Sequence, residues 1–354
     1  MEWTLAPIKG RHRVYEILGL REVVFPGEQP EKQRFDYWVW EFDQARFGEA
    51  EIVAALDHGR LIGHYALLPQ VYRMFGERRT AGLAVDAMVH PDYRRQGMFR
   101  ALQACALGRS RRSFAIGYTI RKNVLPAELK GGYRIVRRAP VWVFPIRMEP
   151  MIGRWLRMPA VARALGAAAD RWWAWVRPDR PLHAPYRFQT VKELAPALQG
   201  FFNRQSARVG IGLEKDDAYI RWRFDRIPGV RYDKTVVLPP GGGNAIGYMV
   251  SRTERLAGIE TLALVDLETV DASPGPRVAM LRYAVIKARR EGCDCVAALI
   301  VDDGRWTRPM QAFGFLKSPY RFLCIVHNRG GKDVAGVFRT ADSVYLNWSD
   351  TDML

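Results

Sequence analysis

The stretch AVDAMVHPDYRRQGMFRALQACAL, Ala84–Leu107, decides how the chain is read. Its first residues run apolar to Val89, as a buried strand does, and Pro91 breaks the run. Beyond Gly97, Met98, Leu102, Cys105 and Ala106 recur at helical spacing with arginines on the other side, which predicts a helix ending near Arg112. Between them lies the basic turn Arg94-Arg95-Gln96-Gly97. A strand, a basic glycine loop and a helix, in that order, set unpaired backbone N–H groups and the positive helix end where a pyrophosphate can bind, and Gly97 lets the backbone approach closely.

Upstream, Arg11–Leu20 reads as a short helix, followed by an unassigned aromatic segment with Phe35, Tyr37, Trp38 and Trp40. Glu51–Leu56 and Leu61–Phe75 flank the turn tetrapeptide Asp57-His58-Gly59-Arg60 and predict a β-hairpin, with Arg79–Val89 as a third strand. Downstream, Ser113–Ile120 reads as a strand, Asn123–Lys130 as a brief helix closed by Gly131-Gly132, and Val141–Ile146 as a strand. The second half repeats that order: strands at Thr235–Leu238, Ala245–Arg252 and Ile259–Leu267, a helix at Arg277–Arg290, a strand at Cys295–Val301, a short helix at Thr307–Ala312, and a strand at Arg321–His327. Ile62-Gly63 matches Ile246-Gly247, and Pro126 before Gly132-Tyr133 matches Pro309 before Gly314-Phe315. The expectation is therefore two similar domains, 1–146 and 188–330, joined by a helical linker at 147–187 and followed by a C-terminal tail, 331–354.

Composition agrees with a chain of 354 residues folding as about two domains, at roughly 150 residues each. Hydrophobic residues at 48% and charged residues at 26% exclude extended disorder. The balance of 54 Lys+Arg against 37 Asp+Glu favours anionic partners. Cys105, Cys293, Cys295 and Cys324 contain no C-x-x-C pair, which predicts reduced thiols, no structural zinc and a cytoplasmic setting. Met1–Gly10 has no leader pattern, and no uncharged apolar run reaches about 18 residues, so no membrane span is expected.

The segment from Val89 to Phe99 resembles the acyl-CoA-binding motif of the GNAT N-acetyltransferase superfamily, Arg/Gln-x-x-Gly-x-Gly/Ala, at Arg94 and Gly97; Phe99 departs from its last small residue. The resemblance extends to the strand ending Val-x-Pro-x-Tyr-Arg and the helix beginning Phe-Arg-Ala-Leu. It implies an α/β (α+β) class with tandem acyl-CoA N-acyltransferase folds, each a mixed, mostly antiparallel sheet flanked by helices. It also implies acetyl-CoA as co-substrate, with its diphosphate at Arg94, Arg95, Gln96, Gly97, Met98 and Phe99, its arm near Asn123, and its thioester carbonyl polarised by backbone groups of Met88 and Val89.

Transfer to an amine requires a base for the ammonium proton, and Asp86, on the same strand, is the first candidate, ahead of His64 and His90. A carboxylate there also serves simply to order the strand end. In the family a tyrosine commonly protonates the leaving thiolate in a pattern like Tyr-x-Lys-x-Gly-Phe; here Glu128 stands in its place in Glu128-Leu129-Lys130-Gly131-Gly132-Tyr133. Helix solvation is the plainer role for Glu128, and an N-cap the plainer role for Asn123.

The matching junction of the second half, Val265–Pro276, is acidic and proline-broken and is expected not to hold coenzyme A. Gly241-Gly242-Gly243 reads as a hairpin turn. Tyr219–Phe224 reads as an amphipathic helix packing Trp222, or as an aromatic and arginine cluster facing the acceptor. The linker, with eight arginines against three acidic residues in 147–187, and with Trp172, Trp173 and Trp175, buries those tryptophans or lies peripherally on an anionic membrane. The leading expectation is transfer of an acetyl or other small acyl group to an amine, with an amino sugar of a surface polysaccharide precursor first among acceptors. The alternatives are a tRNA-dependent aminoacyl transferase, or a non-catalytic RNA- or membrane-binding module on a retired transferase fold; the Arg94–Gly97 loop argues against nucleic acid as the partner.

Overall fold

In a computed structural model, residues 3–119, 124–153, 156, 159–176, 185–204, 210–270, 273–302, 304–331 and 333–352 are described. The elements follow in chain order as β1 (Thr4–Ile8), α1 (Val14–Val24), α2 (Phe35–Trp38), β2 (Glu51–Asp57), β3 (Arg60–Met74), β4 (Glu77–Val89), α3 (Met98–Arg109), β5 (Phe114–Thr119), α4 (Leu125–Lys130) and β6 (Arg134–Pro145). Next come α5 (Glu149–Gly153), α6 (Pro159–Val176), β7 (Arg187–Val191), α7 (Leu194–Ala197), α8 (Phe201–Arg204), β8 (Ile211–Leu213) and α9 (Asp217–Ile220). The last are β9 (Asp233–Leu238), β10 (Gly247–Leu256), β11 (Ile259–Thr269), α10 (Pro274–Arg290), β12 (Cys295–Val301), α11 (Thr307–Phe313), β13 (Leu316–Asn328), α12 (Val334–Thr340) and β14 (Val344–Asn347).

Two compact units result, and neither is a contiguous stretch. Unit 1 comprises Met1–Arg138, Val209–Val230 and Phe322–Val344; unit 2 comprises Ala139–Arg208, Arg231–Arg321 and Tyr345–Leu354. This corrects the boundaries 1–146 and 188–330. The physical reason is strand pairing: β5 has β4 on one side only, and its other edge is satisfied by Leu323–Asn328 of β13. The segment 331–354 is likewise no tail. Phe338 of α12 is fully buried against Tyr72 and Phe114, and β14 is buried throughout. Nor is 147–187 only a linker, since Trp173 of α6 packs on Phe144 within unit 2.

Unit 1 carries the strand order β1-β2-β3-β4-β5-β13, antiparallel except where β4 runs parallel to β5. The β2–β3 hairpin turns at His58 and Gly59, both at positive φ, the geometry that matches the right-handed twist of the flanking strands. A parallel pair needs a crossover, and α3 supplies it between β4 and β5. Its apolar face, Met98, Leu102, Ala106 and Leu107, packs on Val53, Ala55, Ile62, Tyr65 and Leu67.

Unit 2 repeats the plan. Strands β9, β10 and β11 are antiparallel, α10 crosses over, and β12 returns parallel to β11 before pairing with Val141–Pro145 of β6. The described part is thus the expected mixed, mostly antiparallel sheet with flanking helices.

Candidate functional site

Along β3, side chains alternate between the two faces of the sheet. Tyr65 meets Phe99 of α3 edge-on, with ring centroids 6.1 Å apart, whereas its neighbour His64 meets Phe42 on the opposite face. Opposite His64 the β3–β4 ladder slips: His64 pairs with Met88, but Ala66 pairs with Val85, so β4 carries one extra residue. Asp86 sits in this bulge at φ 45°, a left-handed conformation that Asp tolerates better than most residues.

Two contacts fix the bulge from below. The Asp86 carboxylate is ion-paired with Arg21 of α1, both nearly fully buried, and the Asp86 carbonyl accepts a hydrogen bond from His64 Nδ1 at 2.7 Å. Burial by itself would raise the Asp86 carboxyl, but the charges of Lys32 and Arg21 outweigh it and hold the group below the usual carboxylate range. Burial pushes His64 down, so its imidazole is neutral. Asp86 is therefore a committed charge partner of Arg21. His90 is engaged locally, its Nδ1 accepting from the Asp92 backbone N–H.

Beyond the bulge the sheet opens. Ladder pairing between β4 and β5 covers Ala81–Leu83 with Phe114–Ile116, while β4 continues to Val89 and β5 to Thr119. The facing edges past Leu83 and Ile116 thus keep backbone donors and acceptors for a ligand. Met88 is fully buried, so it offers the opening only its backbone.

At the mouth of this opening lies the basic loop. Arg95 and Gly97 both have positive φ, 64° and 80°, and Gly97 is the cap of α3, where no side chain bonds the first-turn N–H groups. A Cβ at Gly97 would meet nothing within 4 Å, so what glycine supplies there is conformation. Arg94, Arg95 and Gln96 are exposed, with Arg94 Nε and Gln96 Nε2 donating to the carbonyls of Val89 and Asp92. Met98 contributes only its backbone N–H, its side chain being core. Phe99, the departure from the motif, is partly buried against Tyr65 and packs on the core. A strand edge, positive-φ loop and free helix N-terminus fit the arm and diphosphate of an acyl-CoA.

On the face that carries Tyr65 and α3 stands α4 with Glu128. Burial pushes its carboxyl up to about 7, and Oε2 is buried without a hydrogen-bond partner. Near it, Tyr65 and Tyr133 are buried with hydroxyls 3.2 Å apart, and both are pushed upward by burial. His327 of β13 lies against the Tyr133 ring. Asp86, the first candidate for the base, and Glu128, in the place of the family tyrosine with helix solvation as its plainer role, lie on opposite faces of the sheet. Asn123 lies outside the described residues.

The sequence reading missed a pairing of two similar segments. Trp40-Glu41-Phe42-Asp43 and Trp222-Arg223-Phe224-Asp225 each follow a four-residue helix, α2 or α9, and each forms a single π-helical turn. Within unit 1 their indoles stack at 4.8 Å and exchange bonds, Trp40 Nε1 donating to Trp222 O at 2.8 Å and Trp222 Nε1 to Trp40 O at 3.1 Å. Trp222 therefore packs within unit 1, on a short helix and π turn, where the sequence predicts an amphipathic helix packing it at the domain junction. A cavity of about 650 Å³ beside the pair is lined by Arg11, Arg46, Arg221 and Arg226. The shared Trp-x-Phe-Asp string is the signal a self-comparison would have found.

Unit 2 has a corresponding opening, but chain fills it. β11 also bulges, opposite Val250 and Ser251, and parts from β12 after Leu264 and Ala298. There β14 pairs with β12, Ile300 opposite Asn347, while Asn347 Nδ2 donates to Asp266 at 2.7 Å and Tyr345 Oη to the Leu267 carbonyl at 2.6 Å.

A family model described as an acetyltransferase (GNAT) domain matches residues 11–123. No protein with a curated description matches the sequence. Among solved structures, a GCN5-related N-acetyltransferase from Anabaena variabilis superposes with a TM-score of 0.61 at 15% identity, over 91% of this chain and 72% of the other. Saccharomyces cerevisiae N-myristoyltransferase with bound myristoyl-CoA gives 0.61 at 12% identity, over 93% and 80%. A probable N-acyltransferase from Enterococcus faecalis gives 0.58 at 13% identity, over 93% and 73%. Residues 11–123, which hold the bulged β4 and the Arg94–Gly97 loop, are thus similar to an acetyltransferase (GNAT) domain, and the chain shares the fold of these solved structures.

Proposed function

We propose that the chain transfers an acyl group from an acyl-CoA thioester to an amine, in unit 1. One observation carries the reading: β4 and β5 part after Leu83 and Ile116, and β4 runs on past the parting to Val89 and leads into the Arg94–Gly97 loop and the uncapped start of α3. The amine attacks the thioester carbonyl, a C–N bond forms as the C–S bond breaks, and the proton that the nitrogen loses ends on the departing thiolate. Backbone N–H groups of the β4 edge stabilise the oxyanion in a site that needs no reorganisation. Glu128, with its carboxyl near 7, exchanges a proton close to neutral pH and takes the place of the family tyrosine.

Acetyl is the proposed acyl group and an amino sugar the first acceptor to test. We read the two units as copies of one fold, the second retired from cofactor binding by the segment that fills its opening. Calorimetry with coenzyme A tests the site: Gly97→Val, or Arg94→Glu with Arg95→Glu, is expected to abolish binding while the circular dichroism spectrum stays unchanged. Unchanged affinity overturns the reading. Thiol release from acetyl-CoA over a panel of amines then identifies the acceptor, and retained RNA with no thiol release would favour the non-catalytic alternative.

A further inference from the structure

Helix α6 has two apolar sides, and folding accounts for only one. On the inner side, Trp173 packs on Phe144, Gly166 lies against Glu149, and Asp170 accepts from the Met148 backbone N–H at 2.7 Å. On the outer side, Val161, Leu165, Trp172 and Trp175 fall on one stripe at spacings of four, seven and three residues, and they are 38%, 49%, 57% and 80% exposed. At 1.5 Å per residue this stripe is roughly 20 Å long. Arg171, also exposed, lies along its flank, one turn before Trp175. Surface tryptophans are usually single; two of them with Leu and Val in one row are an unpartnered apolar face rather than ordinary surface.

We propose that α6 is a membrane-surface helix which lays this stripe into the interface of an anionic lipid bilayer. Three features choose lipid over a protein partner. The apolar row is rich in tryptophan, whose amphipathic ring favours the headgroup boundary. Arg171 stands beside the row, where it reaches lipid phosphates. The chain's net charge of +17 draws it toward anionic surfaces. Insertion is shallow and parallel to the surface, since no helix among the described residues is long and apolar enough to cross a membrane.

The test uses the full-length protein and vesicles of phosphatidylcholine alone or mixed with phosphatidylglycerol. Flotation is expected to bring the protein up with the mixed vesicles, and brominated lipid is expected to quench its tryptophan fluorescence. Trp172→Ser with Trp175→Ser should lower partitioning at least about tenfold, given the area each indole withdraws from water. Arg171→Glu should weaken the preference for anionic lipid. All three side chains are exposed, so both variants should keep the parent melting temperature and coenzyme A affinity. A protein that stays with the pellet in both lipids, or a tryptophan variant that floats like the parent, overturns the proposal. So does a tryptophan-dependent dimer in analytical ultracentrifugation without vesicle binding, which would assign the stripe to a second copy of the chain.

Discussion

At the scale of single residues, three buried titratable groups give opposite pH slopes. Glu128 binds its proton more tightly folded, at about 7, than in the unfolded chain, near 4.5, so stability should fall as pH rises through that window, by at most on the order of 3 kcal/mol. Glu128→Gln should flatten this slope in urea titrations and, if Glu128 carries the thiolate's proton, remove the limb near 7 from the profile of kcat. Asp86 and His64 act in the other sense, because both are depressed on folding. Their stabilisation is complete at high pH and is lost as pH falls, for His64 below 6.5. Asp86→Asn keeps a residue that tolerates the left-handed backbone but strands the buried Arg21 charge, and should cost about 3–5 kcal/mol in denaturant unfolding. The sequence displayed Asp86 and Glu128 as carboxylates; it did not display Arg21 or Lys32, which decide that one is held ionised, because those charges lie far away along the chain.

At the scale of elements, hydrophobic periodicity placed β2, β3, β4, α3 and β12 within a few residues, since strand and helix patterns are local and these segments bury one consistent face. The aromatic segment around Trp40 stayed unassigned for the converse reason. Its four-residue helix and π turn are too short to show a period, and they are held by a partner 182 residues away. Trp222→Ala removes the bond its own indole donates to the Trp40 carbonyl, and the stack, while the backbone carbonyl at 222 that accepts from Trp40 remains; the expected loss is about 2–4 kcal/mol. A double-mutant cycle with Trp40→Ala should return a coupling of about 1 kcal/mol or more; additive losses would mean that the two segments pack independently. The β4 bulge was equally invisible, because register is a property of two strands.

At the scale of the whole molecule, the chain crosses between its units several times, with consequences for dissection. A fragment 1–146 contains the family domain but lacks Leu323–Asn328, the ladder partner of β5, and Phe338, which fills the space beside Tyr72 and Phe114. That fragment should show no cooperative thermal transition by calorimetry, and co-expression with 147–354 should restore both the transition and coenzyme A binding. The sequence by itself determined the strand, basic glycine loop and helix of Ala84–Leu107, hence the resemblance to the superfamily and the place proposed for a diphosphate, because a loop and the helix it starts are contiguous. Only the tertiary structure decided which segments complete each sheet, that Asp86 is neutralised by Arg21, and that the opening of unit 2 is filled by β14. Those outcomes depend on backbone edges and charges that must find partners, and the nearest partners in space are distant in sequence.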